Sequence, residues 1–137
     1  MSHTKDARIA SLRPEFVPIA VTWLHIVIDD LRLKARVLET LRSKERQIEL
    51  ETQGRSRVKM GWHNVGLAMD FAVFTDAGAY LTDDATGLYT KCGLIAEALG
   101  CVWGGRWENF RDYGHIEYHP GFTLQQFIAG RDGGLVA

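Results

Sequence analysis

Met60-Gly61-Trp62-His63-Asn64-Val65-Gly66-Leu67-Ala68-Met69-Asp70-Phe71 is the stretch around which the chain is organised. A histidine stands in it, an aspartate follows seven residues later, and the residues from Gly66 to Met69 are small or apolar. A carboxylate inside an apolar run is costly to bury unless it is paired or coordinates a metal. A second stretch of the same kind, Asp112-Tyr113-Gly114-His115, lies well downstream. The expectation is that the fold brings both stretches onto one metal ion.

The rest of the chain sets the frame for that site. At 137 residues the chain reads as one domain, 1–137, with loosely ordered ends at about 1–8 and 131–137. Its hydrophobic fraction of 46% and charged fraction of 24% are those of a soluble globular protein. A net charge of −1 argues against a dedicated nucleic-acid binder. The basic residues between Arg32 and Lys59 are interleaved with Glu39, Glu45, Glu49 and Glu51, as on a solvated surface. Two cysteines make no disulfide framework, and Cys92, inside an apolar helical pattern, reads as a buried free thiol. No paired CxxC or CxxH ligands exist, which excludes a structural zinc finger. Residues Met1 to Asp6 lack the apolar core of a secretory signal. The run from Phe16 to Ile28, broken by Pro18 and His25, is too short and polar to span a membrane. A cytoplasmic monomer without membrane insertion is expected.

Periodicity predicts a helix from Leu12 to about Ile28 and a strand over Arg36–Leu41. A helix then opens with Ser43 as its N-cap and stops at Gly54. After an exposed loop from Arg55 to Trp62, Leu67–Phe74 reads as a strand, with a turn at Asp76–Ala79 and a short return at Tyr80–Leu81. Asp83-Asp84 reads as a solvated acidic turn, with a cation site as the alternative. A helix over Leu88–Leu99, strands over Cys101–Trp103 and His115–His119, and a last helix over Thr123–Ala129 complete the chain. Helices and strands mix without regular alternation, so the fold class is α+β, built on a small, largely antiparallel sheet flanked by helices.

Catalytic zinc sites take three protein ligands and leave a position open for water, and both His and Asp serve. His63, Asp70 and His115 would supply such a set, and Asp112, three residues before His115, could act as the base. Spacing alone leaves substitutes, because His115, Glu117 and His119 share one face of a strand.

The motifs go further. Gly61-Trp62-His63-Asn64-Val65-Gly66-Leu67-Ala68-Met69-Asp70 resembles the first zinc motif of the D-alanyl-D-alanine carboxypeptidase family of metallopeptidases, Ser-x-His-x-x-Gly-x-Ala-x-Asp. Trp103-Gly104-Gly105-Arg106-Trp107 and Asp112-Tyr113-Gly114-His115-Ile116-Glu117 resemble the second motif of its phage endolysin branch, the L-alanyl-D-glutamate peptidases. Leu41-Arg42-Ser43-Lys44-Glu45-Arg46-Gln47 resembles the family's Arg-Ser segment with its downstream glutamine. The likeness runs over roughly residues 8–130, with the three motifs in the family's order.

This resemblance implies the hedgehog/D,D-peptidase-like zinc peptidase fold, and one Zn2+ per chain held by His63, Asp70 and His115. It makes Asp112 the general base and places Arg42 beside the scissile carbonyl, where an always-charged donor stabilises an oxyanion. Trp103 and Trp107 would wall the cleft or pack beneath it. The implied activity is cleavage of the L-alanyl-D-glutamate bond of peptidoglycan stem peptides by a phage or prophage endolysin. Such an enzyme would wait in the host cytoplasm for a holin-type pore, without a separate wall-binding domain. The rival activities are a D-alanyl-D-alanine carboxypeptidase and a non-catalytic zinc-containing cell-wall-binding module. One departure stands out: Gly61 occupies the family's serine position, removing a hydroxyl that could help orient a ligand.

Overall fold

The computed structural model describes residues 6–54, 61–121, 123–124 and 126. Among them, helix α1 (Ala7–Ala10) is followed by α2 (Val17–Leu24), which runs on into a π-helical turn over His25–Asp30. Strand β1 (Lys34–Glu39) and helix α3 (Lys44–Thr52) come next, then a 3-10 turn (Trp62–Val65) that leads into β2 (Ala68–Phe74). Helix α4 (Leu88–Ala98), β3 (Val102–Trp103), a second 3-10 turn (Gly104–Arg106) and β4 (His115–Glu117) complete the described elements. The strands form one sheet in the order β1-β2-β4-β3, with every pairing antiparallel. The expected α+β architecture with an antiparallel sheet is therefore present.

β2 is the centre of this sheet because its side chains alternate between two jobs. Met69, Phe71 and Val73 are buried in the core together with Trp23 of α2 and Tyr89, Cys92 and Ala96 of α4. Asp70 faces the other way, as the two-residue period of a strand requires. The Trp23 and Phe71 rings meet edge to face at 4.8 Å, and Trp23 Nε1 donates to the Cys92 carbonyl at 2.9 Å, tying α2 to α4. Truncating an aromatic at such a position costs about 3–5 kcal/mol. Both cysteines are free and buried, and burial pushes each thiol up to about 12.

The boundaries depart from the sequence expectations for local reasons. The helix expected from Leu12 starts only at Val17. Pro14 disfavours helical geometry at Arg13, and the Arg13 N–H bonds instead to the Gly66 carbonyl at 2.9 Å. Residues 6–8, expected to be loose, belong to a capped turn of helix: Asp6 accepts from the Arg8 N–H at 2.8 Å, and Ile9 anchors it in the core. β1 lies two residues earlier than expected, because the Arg42 N–H is already committed to the His63 carbonyl at 2.9 Å. Ser43 caps α3 as expected, its hydroxyl accepting from the Arg46 N–H at 3.0 Å, and Gly54 ends that helix with a left-handed φ of 72°. The return at Tyr80–Leu81 is a single bridge, Phe74 to Tyr80.

The acidic turn has a structural use. Asp84 accepts from the Tyr89 N–H at 2.9 Å and also from the Thr90 N–H and hydroxyl, capping α4, while Asp83 accepts from the Ala85 N–H at 3.0 Å. Residues 1–5 and 131–137, most of the loop at 55–62 and most of the last expected helix lie outside the described residues. Among the described residues no helix is long and apolar enough to cross a membrane.

Candidate active site

Sheet register builds the site. Asp70 of β2 pairs directly with His115 of β4, and Glu39 of β1 pairs with Asp70 from the other side. The second pairing depends on a bulge. Val37 pairs with Phe71, so an unbroken ladder would set Leu38 against Asp70, but the register shifts and Glu39 takes that place. A one-residue slip moves a side chain to the opposite face, and bulges next to active sites re-aim side chains in this way. His63 arrives from the 3-10 turn before β2. Asn64 pins that turn, accepting from the Gly61 N–H at 2.7 Å and donating to the Arg42 and Ser43 carbonyls at 3.0 and 3.1 Å.

The result is a cluster in which one donor atom each from His63, Asp70 and His115 lies within 4.8 Å of the other two. Asp70 Oδ1 is 3.1 Å from His63 Nε2 and 3.1 Å from His115 Nδ1. The outer ring nitrogens decide what this means. His63 Nδ1 is 2.8 Å from the Thr40 carbonyl, and His115 Nε2 is 2.7 Å from Glu117 Oε1. A carbonyl and a carboxylate only accept, so both outer nitrogens carry hydrogen. In the neutral imidazoles both inner nitrogens then present lone pairs to an anionic oxygen. Three lone pairs converging on one point need a cation between them, and two imidazoles with one carboxylate suit zinc.

Without a metal, protons must do that work. Burial opposes charge on His115, but its hydrogen bonds to Asp70 and Glu117, and both their charges, raise its pKa to about 9. Burial would raise Asp70, yet the His63 charge and the hydrogen bonds from both imidazoles hold it far below the usual carboxylate range. The donor set therefore fits the metal that the sequence motifs imply.

Arg42 and Asp112 flank the cluster. Of the five N–H groups of a guanidinium, Arg42 uses four: Nε on Glu39 (3.0 Å), Nη1 on Gln47 (2.8 Å), and Nη2 on Glu39 (3.2 Å) and on Asp70 (3.4 Å). The remaining N–H is on Nη1. Asp112 is exposed and lines the cavity in front of the cluster. Desolvation by the protein around it and the Asp70 charge raise its pKa, against the pull of His115, the Gly114 N–H and His63. Two glycines let its loop approach so closely. A Cβ on Gly104 would sit 2.5 Å from the Asp112 carbonyl oxygen, and one on Gly114 2.3 Å from that of Phe71.

Arg42, His63, Asp70, Asp112 and His115, the five residues expected at one site, all line a single cavity of about 460 Å³. Of the three candidates at and after β4, only His115 joins the cluster with His63 and Asp70; Glu117 Oε1 bonds to the far nitrogen of His115, and His119 Nε2 is 2.5 Å from its other oxygen. The two tryptophans separate. Trp107 lines the cavity with its ring 5.1 Å from that of His115, whereas Trp103 is buried and donates to the Tyr113 carbonyl at 2.8 Å. Gly61 lines the cavity in an extended conformation that any residue adopts, and His63 is oriented by Thr40. Glu39, the Thr40 carbonyl, Phe110, and Trp62 stacked on His119 at 4.2 Å had no distinguishing signal in the sequence. The period-two alternation of β1 in fact argues against Glu39, since only the bulge brings it to Asp70.

Comparison with known proteins agrees with this arrangement. The sequence profile of the D-alanyl-D-alanine carboxypeptidase family matches residues 54–118, which hold both histidines and both aspartates. The L-alanyl-D-glutamate peptidase of Listeria phage A118 is 33% identical over 103 residues, 72% of this chain and 35% of that protein. The peptidoglycan L-alanyl-D-glutamate endopeptidase CwlK of Bacillus subtilis (strain 168) is 34% identical over 100 residues, 61% of this chain and 60% of that protein. The chain thus spans about a third and three fifths of these relatives. The crystal structure of the Serratia marcescens L-Ala D-Glu endopeptidase ChiX superposes with a TM-score of 0.69 at 22% identity, over 93% of this chain and 92% of that one, and shares the fold. Family profile and relatives converge on one likeness: residues 54–118 match the D-alanyl-D-alanine carboxypeptidase family, and both curated relatives are L-alanyl-D-glutamate peptidases.

Proposed function

We propose that this protein is a zinc-dependent peptidase that hydrolyses the L-alanyl-D-glutamate bond of peptidoglycan stem peptides, as a phage or prophage endolysin in host lysis. The observation that carries this reading is the convergence of three lone-pair donors whose outer nitrogens are tied to pure acceptors. Zinc bound there supplies a Lewis acid that polarises the scissile carbonyl and makes water a nucleophile near neutral pH. The bond broken follows the relatives' names, since both curated relatives are L-alanyl-D-glutamate peptidases.

The chain's own groups do the rest. Asp112 accepts a proton from the attacking water and returns it to the leaving amide nitrogen, a task suited to a carboxylate with a raised pKa. Arg42, held by Glu39 and Gln47, directs its remaining Nη1 hydrogen to the carbonyl oxygen as negative charge develops. Trp107 and Leu50 supply apolar wall beside the reacting bond.

Digestion of purified wall material, with identification of the newly freed amino termini, tests the proposal. New glutamyl amino termini are expected. Release of terminal D-alanine without them would establish the carboxypeptidase instead, and equal activity of Asp112→Ala and wild type would remove Asp112 as the base.

A further inference from the structure

A second cavity, of about 290 Å³, meets the first at Asp70 and Asp112, the two residues common to both walls. Its other walls include Leu38, Tyr80, Thr82, Arg111 and Tyr113. We propose that this cavity is the subsite for the D-glutamate residue of the stem peptide, and that Arg111 binds that residue's free α-carboxylate. The inference rests on the peptidase reading above and extends it from the bond to the group recognised beside it.

Three observations carry it. An enzyme that cuts inside a peptide must hold chain on both sides of the scissile bond, and two cavities joined at the catalytic carboxylates provide both sides. Leu38 and Tyr80 are 44% and 57% exposed, large apolar surfaces left open to a ligand next to the site. The decisive observation is charge. The Arg42 guanidinium is already balanced by Glu39 and Asp70. Arg111 makes one hydrogen bond, from Nε to the Trp107 carbonyl at 3.0 Å, and among the described residues no carboxylate pairs with it. Both of its Nη groups are left to grip a planar anion.

The chemistry of the substrate supplies that anion at the right place. In a stem peptide D-glutamate continues through its γ-carboxyl, so the α-carboxylate stays on the carbon that bears the scissile nitrogen. Arg111 immediately precedes Asp112, the group proposed to protonate that nitrogen, and both line this cavity. The cation and the proton donor thus meet two neighbouring groups of one residue. Asp70, on the same wall, does not oppose the anion, because its charge faces His63, His115 and Arg42.

The test uses two synthetic peptides, L-alanyl-γ-D-glutamyl-L-lysine and the same peptide with the α-carboxylate converted to a carboxamide. The zinc-loaded wild type should cut the carboxylate form with a kcat/KM about tenfold higher, the size expected for one charged hydrogen-bonding partner. Arg111→Ala and Arg111→Gln should each lose that advantage through KM, with Arg111→Lys retaining part of it. Calorimetric binding of both peptides to the metal-free protein should show the same Arg111-dependent ratio. An undiminished carboxylate preference in Arg111→Ala and Arg111→Gln overturns the subsite assignment while leaving the peptidase reading intact. Arg111-dependent binding of the carboxylate form without cleavage of either peptide would instead sink the peptidase reading and uphold the subsite.

Discussion

His63, Asp70 and His115 form one cluster of imidazole and carboxylate in this protein, and His25, Asp29 and Asp30 form another. The distances are alike: His25 Nδ1 lies 3.0 Å from Asp29 and its Nε2 3.4 Å from Asp30. Their settings are opposite. The His25 side chain is 58% exposed, and both of its nitrogens face carboxylates on its own helical turn. His63 and His115 are buried, come from different elements, and have their outer nitrogens anchored to Thr40 and Glu117. The same residue types make a water-screened surface pair in one place and, in the other, a buried cluster whose imidazoles are oriented from behind and whose donor set fits a cation. What separates them is the second set of hydrogen bonds, not the first.

The comparison can be tested in order of effect. Replacing a residue of the buried cluster should do most: Asp70→Ala or His63→Ala should abolish zinc in the purified protein and reduce wall-lytic activity by on the order of a thousandfold or more. Metal analysis with a turbidity assay reads both. If Asp112 is the base as proposed, Asp112→Asn should lower kcat by about a hundredfold to ten-thousandfold with zinc content unchanged, because it takes away a proton acceptor and none of the three cluster residues. Glu117→Gln leaves the three cluster residues in place and should weaken zinc affinity about ten- to a hundredfold, measured by chelator competition. An unchanged affinity would show that the outer hydrogen bond does not orient His115.

pH should act on the metal-free buried cluster with a definite sign. Asp70 is depressed below its ordinary 3.8, so its contribution to stability is present above that pH and lost on acidification. His115 is raised from 6.5 to about 9, so its contribution is complete below 6.5 and lost as pH rises through 9. Chelator-treated protein should therefore melt highest between about pH 4 and 6.5 and lower on both sides. The smallest effect belongs to the surface cluster. His25→Ala should change stability by about 0.5 kcal/mol or less and leave zinc content untouched. A loss of zinc in that variant would erase the distinction between the two clusters.

Much of this architecture can be read from residue types in order. The apolar run expected as a strand over Leu67–Phe74, the Ser43 cap, the Gly54 stop and the helix expected over Leu88–Leu99 are local consequences of local sequence, and each appears within about a residue of where the pattern placed it. The motifs named His63, Asp70, Asp112, His115 and Arg42 as one group, and the five line one cavity. Local pattern failed where a distant partner intervened. The helix expected from Leu12 is interrupted because Gly66 takes the Arg13 N–H, and β1 stops early because His63 takes that of Arg42.

By itself the sequence determined which chemical groups were available and in what order: two imidazoles, three nearby carboxylates and a guanidinium, embedded in segments whose periods are helix or strand. Only the tertiary structure decided where each of them stands. The bulge at Leu38 chose Glu39 as the partner of Arg42, the β2–β4 register set His115 against Asp70, and Glu117 was placed behind the cluster instead of inside it. The physical reason is that these choices depend on register between strands far apart in the chain and on backbone atoms such as the Thr40 carbonyl. Every residue carries a carbonyl of that kind, so no choice of side chain announces which one will orient a ligand.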